Sequence, residues 1–82
     1  MYYLYILKSL KYERHYIGIT DDILKRLAKH NSGSVKSTKA YRPWMVFRKE
    51  EFLNKMAARK REIFLKKTAR ARVKLYTDGP IV

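Results

Sequence analysis

The chain has 82 residues, 46% of them apolar, and a formal net charge of +13 from 20 Lys and Arg against seven Asp and Glu. A length of this size holds one core, because two would each bury too little surface. The absence of cysteine excludes a disulfide scaffold, a thiolate metal site and a cysteine nucleophile.

In chain order, Tyr2 to Leu7 is aromatic and branched with hardly a polar break, the pattern of a central strand covered on both faces. Ser9 to Arg14 is turn-like, and His15 to Ile19 reads as a second strand pairing with the first as a hairpin. Alternation puts Tyr3, Tyr5 and Leu7 on one face and Leu4 and Ile6 on the other. Tyr16 and Gly18 share a face, so Tyr5 and Tyr16 project the same way if the register permits. Gly18 there leaves room for another backbone or a ligand.

Thr20 is the expected N-cap of a helix, with Asp21 and Asp22 in its first turn. Ile23, Leu24, Leu27 and Ala28 form its apolar stripe. It runs to about Asn31, with Gly33 as the stop. Ser32 to Tyr41 reads as a mobile loop, and Arg42-Pro43 introduces a third strand from Trp44 to Glu50, apolar on both faces at its start. From Glu51 or Phe52 to about Lys67 the pattern is helical. Leu53, Met56, Ala57, Ile63 and Phe64 make the main face, with the stem of Lys60 along it, and Ala58, Glu62, Leu65 and Ala69 make a narrower stripe. Two stripes imply flanking on two sides, by the sheet and by another helix. A short last helix spans about Ala69 to Leu75. One domain over 1–76 and a tail over 77–82 are expected.

The opening apolar run is too short for a signal-peptide core, has no basic leader, and nothing reaches membrane-spanning length, so a soluble cytoplasmic protein is expected. Between Arg48 and Lys74, 11 basic residues meet only Glu50, Glu51 and Glu62. A field of that sign attracts a polyanion, which favours nucleic acid over a merely solvated surface or a membrane-surface helix. Two His in no H-x-x-x-H or H-E-x-x-H spacing leave zinc without its usual ligands.

Arg26 and His30 are four apart, on one side of the first helix at the edge of its apolar stripe. Their ordinary roles are an ion pair with Asp22 and a helix-end cation. Glu62 lies among Arg59, Lys60 and Arg61, as a charge balancer or as a lone carboxylate holding Mg²⁺ with waters and substrate phosphate. Tyr3, Tyr5 and Tyr16 are ordinarily strand-face aromatics; one becomes chemically active when nearby cations lower its pKa. The residues by themselves reach no further than a basic α/β domain that binds nucleic acid.

Tyr3-Leu4-Tyr5, Tyr16-Ile17-Gly18, Arg26, His30 and Glu62, in this order and spacing, resemble the GIY-YIG nuclease family. The likeness is to its small stand-alone bacterial members, related to the nuclease domain of nucleotide-excision repair, and covers Tyr2 to about Leu75. It implies an α+β fold with a three-stranded antiparallel sheet flanked by helices and the site on one sheet face. It also implies a metal-dependent endonuclease acting on DNA, double-stranded or branched, with Mg²⁺ (or Mn²⁺); for a repair or recombination protein as partner the small size of the chain is the sole support.

By that resemblance Tyr5 and Tyr16 line the site, Arg26 neutralises charge on the scissile phosphate, His30 hydrogen-bonds toward the attacking water, and Glu62 is the metal ligand. Lys25, Lys29, Lys36, Lys39, Arg59 and Lys66 are the expected nucleic-acid contacts. Tyr3 stands where the family motif has Gly, Ile19 where repair nucleases often carry Lys, and Arg72 to Leu75 supplies no Asn. The alternative is a non-catalytic basic DNA- or RNA-binding module on the same scaffold.

Overall fold

The computed structural model describes residues 1–80. Its elements are β1 (Tyr2–Ser9), β2 (His15–Thr20), α1 (Ile23–Asn31), a 3-10 turn (Lys39–Tyr41), β3 (Trp44–Phe52), α2 (Lys55–Lys67) and α3 (Ala69–Asp78). The strands form one antiparallel sheet in the order β2-β1-β3, the three-stranded α+β arrangement expected. β1 is central, which is why its apolar run lacks polar alternation.

Helices cover both faces of the sheet. On one, Leu4, Ile6, Ile17 and Phe47 pack with Leu65 of α2 and Leu75 of α3. On the other, Tyr5, Leu7 and Trp44 pack with Tyr16, Ile23, Leu27, Tyr41 and Val46. The hairpin register sets Tyr5 opposite Gly18 and Leu7 opposite Tyr16, so both motif tyrosines share the α1 face. A bulge in β3 pairs Ile6 with Arg48 and Leu7 with Val46. The extra residue, Phe47, can thereby join Leu4 and Ile6 on the α2 face.

Several boundaries depart from the sequence reading. Thr20 ends β2, and the N-cap of α1 is Asp22, whose carboxylate accepts from Lys25 N at 3.1 Å; neither Asp21 nor Asp22 lies in the first turn. β3 continues to Phe52, so α2 begins only at Lys55, capped by Asn54 on Ala57 N at 2.9 Å. The stripe of α2 that meets the sheet is the narrow one, Ala58, Glu62 and Leu65. Leu53 and Met56 are 84% and 71% exposed, and Ile63 and Phe64 also face outward. Small Ala58 allows close approach to the sheet, and that outweighs the larger apolar sum of the other stripe.

The segment expected to be a mobile loop is pinned. Thr38 is buried, its carbonyl accepts from Trp44 Nε1 at 3.0 Å, and the Asn31 amide bridges the backbone N and O of Trp44. α3 runs to Asp78 rather than stopping near Leu75, with Tyr76 packed on the α2-side core. Within the expected tail 77–82, Thr77 and Asp78 are helical, and Ile81 and Val82 lie outside the described residues. Among the described residues no helix is long and apolar enough to cross a membrane.

Candidate active site

Tyr5 is only 1% exposed, and its ring lies across β2 at Gly18. A Cβ at Gly18 would fall 2.6 Å from the Tyr5 hydroxyl oxygen. The room that glycine leaves is therefore filled by Tyr5 itself, which fixes where the hydroxyl sits. That hydroxyl lies 3.0 Å from His30 Nε2 and accepts from Arg26 Nε at 3.3 Å. Helical spacing brings Arg26 and His30 to it together, one turn apart on α1.

His30 is fully buried, and its Nδ1 lies 2.8 Å from Thr38 Oγ1, which donates to Val35 O at 3.4 Å. With the Thr38 proton on that carbonyl, Thr38 accepts from Nδ1–H. Nε2 is then left as the acceptor for the Tyr5 O–H. Burial, with the charges of Arg26 and Lys29, lowers the His30 pKa to about 4. His30 is thus a neutral imidazole at pH 7, not a helix-end cation.

The sign of the resulting linkage is fixed. Between pH 6.5 and about 4 the unfolded chain binds the proton that folded His30 refuses. Its contribution is complete above pH 6.5 and declines as pH falls toward 4. Urea unfolding at pH 7.5 and 4.5 should show wild type losing on the order of 2–3 kcal/mol more than His30→Gln.

Tyr16 completes the cluster. Its ring centroid is 4.8 Å from that of His30 and 6.3 Å from that of Tyr5, and unlike Tyr5 it is half-exposed. The Tyr5 pKa is raised, chiefly by burial, against the opposing pull of the Arg26 hydrogen bond. The expectation that neighbouring cations would lower a motif tyrosine fails at Tyr5 because desolvation is larger. The hydrogen bond to Tyr5 in turn raises the pKa of Arg26. Arg26 makes no ion pair with Asp22, whose carboxylate caps the helix instead.

Glu62 is 5% exposed on the sheet-facing stripe of α2, its Oε1 2.7 Å from Arg59 Nη1 and its Oε2 3.2 Å from Lys66 Nζ. It makes no hydrogen bond to the tyrosines, Arg26 or His30, yet its charge contributes to the raised Tyr5 pKa. Tyr5, Arg26, His30 and Tyr16 are thus joined by contact on the α1 face, whereas Glu62 belongs to the helix packed on the opposite face and reaches Tyr5 only through a small effect of its charge, so the five residues do not share one sheet face as the resemblance implied. Among the described residues no three His, Asp or Glu cluster as a metal cage. A single carboxylate with lone pairs to spare fits a hard cation such as Mg²⁺, which keeps waters and phosphate oxygens. Arg59 and Lys66 are exposed enough to swing aside.

All six expected nucleic-acid contacts are exposed. Lys25 and Lys29 line a recess of about 210 Å³ with Thr20, Asp21, Asp22 and Arg26. Lys36 and Lys39 line another of about 450 Å³ with Lys11 and Arg42. Arg59 and Lys66 flank Glu62. Sequence reasoning missed Thr38, which sets the His30 tautomer; a threonine in a polar loop carries no periodic signal.

The model of the GIY-YIG catalytic domain matches residues 1–76. The chain is 40% identical over 80 residues to the UPF0213 protein SSP2268 of Staphylococcus saprophyticus, covering 95% of this chain and 96% of that one. It is 35% identical over 78 residues to the UPF0213 protein YazA of Bacillus subtilis, covering 94% of this chain and 78% of that one. The solution NMR structure of the UPF0213 protein BH0048 from Bacillus halodurans superposes with a TM-score of 0.56 at 29% identity, over 95% of this chain and 84% of that chain.

Proposed function

The chain belongs to the GIY-YIG family, and on that premise we propose that it is a metal-dependent endonuclease that hydrolyses phosphodiester bonds of double-stranded or branched DNA. The observation that carries this reading is the line Thr38–His30–Tyr5–Arg26, which ends on a guanidinium at the protein surface. Thr38, His30 and Tyr5 satisfy one another's polar groups and so hold that guanidinium in one place, ready for an incoming phosphate.

Arg26, always charged, is suited to the phosphate oxygens where negative charge develops. Tyr16, half-exposed beside Tyr5 and His30, would orient the attacking water through its hydroxyl. His30, neutral and buried, orients the Tyr5 hydroxyl through Nε2. Tyr5 keeps its proton in the hydrogen bond with His30 Nε2, and its oxygen accepts from Arg26 Nε–H, so the phenol links the buried imidazole to the guanidinium and holds it in place. Glu62 would hold a divalent cation, which when bound supplies Lewis-acid stabilisation of the phosphoryl oxygens.

The test is incubation of supercoiled plasmid with the protein in Mg²⁺, with and without chelator. Nicked and then linear DNA should form only with free Mg²⁺, while salt-sensitive binding persists in both. Binding with no cleavage in either Mg²⁺ or Mn²⁺ would leave only a basic binding module.

A further inference from the structure

A recess of about 310 Å³ opens along the edge of β2, lined by His15, Tyr16, Ile17, Lys66, Arg72 and Tyr76. Its walls are fixed. His15 stacks on Tyr76 with ring centroids 3.8 Å apart and 6° between planes, and meets Phe47 edge-on at 5.0 Å. Arg72 Nη1 donates to the carbonyls of Leu65 and Lys66 at 2.8 and 2.7 Å, which anchors the guanidinium. Its Nε and Nη2 make no hydrogen bond to the described residues.

β2 is an edge strand, so its outer backbone groups are unpaired. The bond from Ser9 N to Arg14 O closes the hairpin. Alternation from there turns the N–H and C=O groups of His15 and Ile17, both lining residues, outward at the sheet edge. Among the described residues no carboxylate side chain lines it, whereas two cations do, beside the N–H groups of the strand edge. Burial and the charge of Lys8 lower the His15 pKa, so its ring serves as an aromatic wall rather than a third cation.

Tyr16 is common to this recess and the candidate active site, and Lys66 connects the recess to Glu62. We propose that the recess is a second phosphate subsite, which takes a backbone phosphate flanking the scissile one on the same strand and so sets strand polarity. This rests on the endonuclease reading. Arg72 is then a binding residue for substrate, and it sits in the last helix, in the very stretch that supplies no Asn.

The experiment uses wild-type protein and short duplexes in which one phosphate at a time is a neutral methylphosphonate. One flanking position should raise KM roughly tenfold with kcat held, the effect of losing a hydrogen-bonded charge contact. Arg72→Gln should raise KM similarly on the unmodified duplex and make that methylphosphonate silent, while Arg72→Lys restores part of the sensitivity. Equal sensitivity at every position, or penalties for the two changes that multiply, would overturn the subsite. If nothing is cleaved, the endonuclease reading fails by itself. Affinity for the same duplexes in chelator then decides the subsite by the same pattern. Because Arg72 also caps α2, the methylphosphonate series on unaltered protein stands even if Arg72→Gln folds poorly.

Discussion

Gly18→Ala should unfold at lower denaturant than wild type and lose cleavage activity by roughly a hundredfold or more, in line with other losses of a preorganised polar contact. The reason is not backbone strain, since Gly18 is not among the positive-φ glycines. On strand propensity alone alanine would be neutral or better. The added methyl would lie 2.6 Å from the Tyr5 hydroxyl oxygen and 2.7 Å from Cζ. The ring cannot retreat freely, being buried and held by His30 and Arg26. Either the ring shifts and both bonds break, or β2 moves off β1. Overpacking of this kind costs about 1–3 kcal/mol, and a buried polar group left unpaired adds a similar amount. Urea unfolding and initial cleavage rates measure the two effects. A stable, fully active Gly18→Ala protein would mean that Tyr5 is not fixed as described.

Glu62→Gln should abolish Mg²⁺-dependent nicking, lowering the rate by on the order of a thousandfold, while DNA affinity stays within a few-fold of wild type. The amide keeps the size of the side chain and removes the charge that a cation needs. Binding should hold because Arg59 and Lys66, released from the carboxylate, remain available to phosphate. Both cations are exposed, so neither is stranded without solvent when the carboxylate charge is removed. Nicking rates and fluorescence anisotropy in chelator separate the two effects. Full activity in Glu62→Gln would remove Glu62 from the metal assignment.

Much of this architecture is legible in the residues. The unbroken apolar run Tyr2 to Leu7 marks the central strand, and period-two alternation puts Tyr5 and Tyr16 on one face. The spacing of Arg26 and His30 puts them on the same turn side of α1, against that face. The misreadings have physical causes. For α2, counting apolar atoms selects the stripe with Leu53 and Met56, but closeness of approach decides, and Ala58 with Leu65 wins. A buried Glu62 then looks misplaced until its partners Arg59 and Lys66 are counted. Thr38 is silent in the sequence because its role depends on a fold-back from Ser32 to Tyr41 that no periodicity encodes. The raised pKa of Tyr5 is likewise a matter of burial depth, which residue types alone do not give.

Non-additivity of variants in single-turnover cleavage tests most directly whether the polar side chains beside the hairpin act as one unit. The rate of a labelled duplex in Mg²⁺ would be followed for Tyr16→Phe, Arg26→Gln, His30→Gln, Glu62→Gln and the Arg26→Gln/Glu62→Gln pair. A single site predicts that Arg26→Gln and Glu62→Gln each remove most of the rate and that the pair is scarcely slower than either. Penalties that multiply, or single variants as fast as wild type, would contradict it.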